Sequence, residues 1–163
     1  MAGEHYVHFE CKNLANYVQA EQAARNSMDT TMDKLCSSPI YSQPEPYRQL
    51  GFVPDDYSTV TYYDMWHKNK DGQLDGTDHR YTVTYGRKYD TKSIMQYPSM
   101  MKIAGGRDQN TVQNMPLVAW KGGWEGFVPQ KKATPKNAKR LEMNIVPTET
   151  DCKGIKGLYP WEG

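Results

Sequence analysis

The side chains best suited to chemistry are four histidines, three cysteines and one acidic, glycine-containing turn. His5 and His8 lie three apart across Tyr6-Val7-His8-Phe9, a short β-like run. An odd spacing in a strand sends side chains to opposite faces, so the two read as ordinary packed or surface histidines and not as a zinc pair. His67, Asn69, Asp71, Gly72, Asp75 and Asp78 follow the spacing of a calcium-binding loop after its first position. Histidine stands where the first carboxylate ligand belongs, and Asp78 replaces the bidentate glutamate. Ser58 to Trp66, in place of an entering helix, is β-branched and aromatic. The segment therefore reads as an Asx- and Gly-rich turn. The chain has no Gly-x-Ser-x-Gly, no phosphate-binding Gly-rich loop, no Cys-x-x-Cys and no His-Glu-x-x-His.

Cys11, Cys36 and Cys152 cannot all pair within one chain. Cys11 and Cys36 flank the first helical segment and lie 25 positions apart. They are the pair expected to join in oxidising conditions, leaving Cys152 free, although the sequence alone does not assign the bridge. A loop of that length makes a disulfide worth about 3 kcal/mol. Lys131, Lys132, Lys136, Lys139 and Arg140 form a basic run without an acid inside it. It reads as a solvated loop, with a phosphate- or substrate-binding patch as the alternative.

The most informative segment is Tyr89-Asp90-Thr91-Lys92-Ser93-Ile94-Met95-Gln96-Tyr97. It resembles the Met-turn of the metzincin zinc peptidases, in the Ser-Ile-Met-x-Tyr form of the astacin family. Glu4-His5-Tyr6-Val7-His8-Phe9-Glu10-Cys11 is similar to the stretch that follows the zinc helix in secreted, fungal-type astacin-like peptidases. Gly154-Ile155-Lys156-Gly157-Leu158-Tyr159-Pro160-Trp161 resembles their terminal helix and its Leu-Tyr-Pro-Trp ending. The three matches keep the family's order across nearly the whole chain.

The resemblance implies a zinc metalloendopeptidase that hydrolyses polypeptide substrates outside the cell. In that family three imidazoles hold Zn²⁺ and a glutamate takes the proton of the metal-bound water. Met95 would form the soft floor beneath the histidines. Ser93 would fix the turn. Tyr97 would be the catalytic tyrosine, a metal ligand at rest in a complete zinc site and a hydrogen-bond donor to the oxyanion during hydrolysis. The family's His-Glu-x-x-His-x-x-Gly-x-x-His is absent from this sequence. By resemblance, residues 1–163 are then a single domain, the C-terminal part of the peptidase, without the zinc helix and the N-terminal subdomain. The chain alone is expected to bind no zinc and cleave no peptide. A secreted, non-catalytic binding or effector protein built on the same subdomain is the alternative. An aromatic-rich carbohydrate-binding domain, resting on Trp120 and Trp124, is a third reading.

The elements that must position these residues are few. Leu14, Tyr17, Val18 and Glu21 recur at helical spacing after Asn13, a competent N-cap, and predict a helix to about Arg25. Met28, Met32 and Leu35 put a second short helix between Ser27 and Cys36. Pro39, Pro44 and Pro46 argue against regular structure as far as Arg48. Tyr57 to Trp66 and Tyr81 to Tyr85 read as strands around a polar turn over Asn69 to Asp78. Gly105 to Lys139 shows little periodicity. Thr148 and Asp151 have capping-box spacing, and Ile155, Leu158 and Tyr159 predict one buried stripe before Pro160 stops the helix.

These elements describe a loop-rich α+β domain with few helices and short strands; the resemblance implies that it is the C-terminal subdomain of a metzincin. Twenty Lys+Arg against nineteen Asp+Glu leave a net charge of +1, so no bulk field recruits nucleic acid. No window approaches the roughly 20 apolar residues of a membrane helix. Twelve Tyr and four Trp against three Phe favour half-wet surfaces as much as cores.

Overall fold

A computed structural model describes residues 5–27, 30–57, 62–71, 74–82, 89–124 and 127–159. The described chain is α+β and loop-rich. Strand β1 (Val7–Phe9) is followed by helices α1 (Tyr17–Arg25), α2 (Met32–Ser37) and α3 (Pro39–Ser42). Strands β2 (Tyr62–Lys68) and β3 (Leu74–Thr82) form a hairpin. Strands β4 (Leu117–Trp120) and β5 (Ala138–Lys139) precede the last helix, α4 (Glu149–Leu158).

The organising sheet has three antiparallel strands in the order β1-β4-β5. Val7 stands opposite Ala119, and Trp120 opposite Ala138. β4 is therefore central, and all four of its residues are buried. Leu117 and Ala119 face a cluster with Val7, Leu14, Leu35, Phe52 and Leu141. Val118 and Trp120 face a second cluster with Met115, Ala133 and Ala138. A strand covered on both faces reads as a continuous apolar run, which is why the stretch Gly105 to Lys139 lacks the alternation of a half-exposed strand. Despite its weak periodicity, that stretch holds both β4 and β5.

Asn13 does not cap α1. It is fully buried, and its side-chain NH₂ donates to the carbonyls of Gln113 (2.7 Å) and Met115 (3.0 Å), at the entrance to β4. The N-cap position is taken by Asn16, in the left-handed conformation at φ 64°. Asparagine enters that region more readily than most residues, so the chain turns there without glycine. Helix α1 packs through Ala20 and Ala24, while Val18 of the predicted stripe lies exposed. Small residues at this spacing let the helix approach the cluster closely.

A disulfide joins Cys11 to Cys36 with 5.9 Å between the Cα atoms, and it ties the turn after β1 to α2. Cys152 is free and exposed. In α2 the Thr31 side chain accepts from the Lys34 amide, and Leu35 is fully buried. Met28 lies outside the described residues. Pro39 opens the short α3 instead of forbidding it, because the first helical position has no N–H to lose. In the hairpin, Asn69 accepts from the Asp71 amide as an Asx-turn does. The context is strand–turn–strand, not the helix–loop–helix of a calcium site. The predicted polar turn is shorter than expected, since β3 already begins at Leu74. Residues 83–85 of the second predicted strand lie outside the described residues.

Helix α4 carries the expected capping box between Thr148 and Asp151. Two of the three residues of its predicted stripe are not buried, Ile155 being 57% and Tyr159 75% exposed; the Leu158 side chain lies outside the described part of the structure. The helix is held at its first turn by polar contacts, as described below. Pro160 lies outside the described residues.

Opening the Cys11–Cys36 bridge, by reduction or by the double change Cys11→Ser and Cys36→Ser, is expected to lower unfolding free energy by about 3 kcal/mol. Urea unfolding of the two forms measures it, and Cys152→Ser, at an exposed position, should leave the midpoint within about 0.5 kcal/mol of the parent.

Candidate functional site

The segment from Asp90 to Tyr97 has no regular secondary structure, so its shape must come from side-chain hydrogen bonds. Asp90 accepts from the Lys92 amide at 2.9 Å, an Asx-turn. The Ser93 amide donates to the Asp90 carbonyl (3.2 Å), and Gln96 N–H to the Ser93 carbonyl (3.0 Å). The Ser93 hydroxyl accepts from the Met95 amide (3.0 Å) and donates its proton to Asp151 Oδ1. Asp151 Oδ2 also accepts from the Ile94 amide at 3.2 Å and from the Thr148 amide at 2.8 Å. One carboxylate thus closes the capping box of α4 and grips the turn 57 residues away in sequence.

Contacts from three side chains, Thr148, Asn144 and Tyr89, further fix the same turn. The Thr148 hydroxyl donates to Asp90 Oδ2 at 2.6 Å. Asn144 Nδ2 donates to the carbonyls of Thr91 and Ser93, each at 3.1 Å. Tyr89 donates its phenol proton to Gln96 Oε1 and stacks on Tyr6 with 5.5 Å between ring centres. The turn is thereby joined to the segment before α4 and to the chain just ahead of β1.

The electrostatics follow from this geometry. Hydrogen bonds to the charged form, from the Ser93 hydroxyl first and then from the Thr148 and Ile94 amides, lower the Asp151 carboxyl from 3.8 to about 2. The first turn of α4, whose N–H groups point outward, also favours a negative charge there.

The residues left over by this network face outward. Met95 is 81% exposed and Ile94 39%. Tyr97 is about one third exposed. Its ring lies 5.5 Å from that of Tyr57, whose hydroxyl donates to the Met101 carbonyl at 2.8 Å. Burial pushes the Tyr57 phenol upward, with the nearby Asp56 charge adding to the shift. Beside the turn, Met143, Ile145 and Val146 are also mostly exposed. The structure brings Ser93, Met95 and Tyr97 onto one pinned turn.

His5 and His8 make their contacts away from that turn. His5 contacts the Phe127 carbonyl at 2.5 Å, and His8 lies against Trp120, 5.1 Å between ring centres. The side chains of His67 and His79 lie outside the described part of the structure. Among the described residues no three His, Cys, Asp or Glu side chains are grouped to hold a metal. Among the described residues, then, nothing accompanies Tyr97 as the three-ligand set of a zinc site requires. Trp120 is buried, which removes it as a stacking platform for a sugar, while Trp124 is 62% exposed. The chain matches no protein-family model, no curated protein and no solved structure.

Asp151 was legible in sequence as a capping residue; its grip on Ser93 and Ile94 was not. Its titration gives a direct test. A carboxyl whose folded pKa is lowered contributes stability that is fully present above its ordinary value of 3.8 and is lost as pH falls towards about 2. Urea midpoints measured from pH 5 to pH 2 are expected to fall for the parent chain. For Asp151→Asn they are expected to start lower at pH 5 and to fall less steeply. Part of the slope should persist, because Glu10 and Asp108 also titrate below their ordinary values.

Proposed function

We propose that this chain supplies the Met-turn side of an astacin-like peptidase site. It presents Met95 and Tyr97 to a zinc-binding helix that its own sequence does not contain. The observation that carries this reading is the division of labour in the turn. Asp90, Ser93, Asn144, Thr148 and Asp151 spend their polar atoms on holding its shape. Met95 and Tyr97, the two side chains the resemblance marks as functional, are left at the surface. An exposed thioether contributes little packing, so Met95 does little to hold this turn. The finer fold assignment, a metzincin-like C-terminal subdomain, belongs to the same proposal, as does a setting outside the cell, with which the Cys11–Cys36 bridge is compatible.

In this reading the chain's own residues position and do not cleave. Ser93 and Asp151 fix the backbone of the turn. Met95 offers a polarisable floor. Tyr97 offers a phenol whose proton can be donated to a developing oxyanion. Zinc, held by residues from outside this chain, would supply the activated water. The substrate class is a polypeptide.

The test joins a zinc helix of the family type ahead of Glu4 and follows cleavage of an unstructured peptide together with bound zinc. Zinc-dependent cleavage is expected, and Tyr97→Phe should lower turnover by about 10²-fold with zinc content unchanged. Equal turnover of the parent and Tyr97→Phe fusions would overturn the assignment. In the chain as it stands, Met95→Ala and Tyr97→Phe should each change stability by less than about 0.5 kcal/mol, because Met95 is 81% exposed and Tyr97→Phe keeps the ring that packs on Tyr57. A urea midpoint shift several times larger for Tyr97→Phe would make Tyr97 a structural residue.

A further inference from the structure

The chain's charge is unevenly spread. Residues 121–140 hold five lysines and one arginine against a single acid, Glu125, and so carry a net +5. The whole chain is +1, which leaves −4 on the remainder. Folding keeps these cations together. Trp120, Ala133 and Ala138 belong to the second core cluster and Phe127 packs against it, so the segment is rooted on one side of the molecule. Asn137 shapes the loop between Gln130 and Ala138. Its Oδ1 accepts from the Thr134 amide at 2.7 Å, and its Nδ2 donates to the Lys132 carbonyl (3.0 Å) and to Gln130 Oε1 (2.5 Å). Lys121 Nζ donates to the Pro135 carbonyl at 2.5 Å and draws the end of β4 against the same loop. The alanines point inward, and Lys131, Lys132, Lys136 and Lys139 are all exposed. None of these four has an acidic partner among the described residues, whereas Arg140 is paired with Glu142 at 3.3 Å.

Two apolar side chains share this surface. Either side of the anchoring Phe127, Trp124 is 62% and Val128 81% exposed. The chemistry of the cations and of this pair narrows the partner. Sulfate and phosphate groups on a polymer are best held by forked, bidentate contacts, for which arginine is the better residue. Here the unpaired cations are lysines, compact point charges on flexible stems, which suit a fluid layer of charged headgroups. An exposed valine near a tryptophan gains little from a hydrated polymer, whereas the boundary between headgroups and acyl chains receives both.

We propose that residues 121–140 form a docking surface for an anionic lipid bilayer, with Lys131, Lys132, Lys136 and Lys139 among the headgroups and Trp124 and Val128 entering the interface. The negative remainder of the chain is repelled by the same layer, so the charge asymmetry also orients the molecule on it. Docking needs none of the turn residues Ser93 to Tyr97, and the proposal stands or falls independently of the peptidase reading.

The test sediments the full chain with vesicles of phosphatidylcholine alone and of phosphatidylcholine carrying about 30 mol% phosphatidylserine. Binding to the anionic vesicles alone is expected, and it should weaken as salt is raised. Each lysine close to such a surface is worth about fivefold in partitioning, so Lys131→Gln, Lys132→Gln and Lys136→Gln together should weaken binding about 10²-fold. The same loss of charge at exposed Lys70, Lys153 and Lys156 should change it by less than about threefold. Lipids with brominated acyl chains should quench part of the bound protein's tryptophan fluorescence. Trp124→Phe should remove that part, with circular dichroism showing the fold kept. Equal binding to both kinds of vesicle, no binding to the anionic ones, equal losses in the two triple variants or a quench that survives Trp124→Phe would each overturn the proposal. So would binding to heparin or to a single-stranded oligonucleotide without binding to the vesicles.

Discussion

Four consecutive buried side chains, Leu117 to Trp120, impose the constraint on which the rest of this structure depends. A strand with no polar face cannot lie at a surface, so both of its faces need cover and both of its edges need hydrogen-bonding partners. β1 supplies one edge from more than a hundred residues earlier, and β5 supplies the other. The two faces become the floors of two separate clusters, one roofed by α1 and α2, the other by the loops around Ala133. Buried Asn13 serves the same strand from the side, because its two amide hydrogens satisfy carbonyls at the β4 entrance that water cannot reach. Its Oδ1 has no partner among the described residues, a cost the two donated bonds must outweigh.

The candidate site is held by a different kind of force. Around Asp90 to Tyr97 little apolar surface is buried. A serine, two aspartates, an asparagine and a threonine specify the backbone instead. Polar networks of this sort are directional, so they fix a turn more sharply than packing does. They also leave the apolar side chains of the same segment free to face outward, as Met95 does. Ile94, Met143, Ile145 and Val146 are exposed as well. The same Asp151 carboxylate starts α4 and anchors the turn, which couples the terminal helix to the site despite the helix's own exposed stripe.

Local features were legible in the sequence because their causes are local. The capping box of Thr148 and Asp151 needs only residues three apart. The Asx-turn at Asn69 and the hairpin around it follow from polar, glycine-containing sequence between β-branched runs. The run Ser93 to Tyr97 could be singled out in the sequence because its residues are contiguous. What the sequence could not reveal was decided by partners far along the chain. β4 looked irregular because burial on both faces erases the period-two pattern. Asn13 looked like an N-cap because nothing near it in sequence announces carbonyls a hundred residues away. Ile155 and Tyr159 looked buried because periodicity marks one apolar face of a helix but not whether any neighbour covers it. The tertiary structure alone determined that Asp151 would reach Ser93 and that Met95 would remain outside, for loop closure and packing fix such contacts over distances at which sequence spacing carries no geometric information.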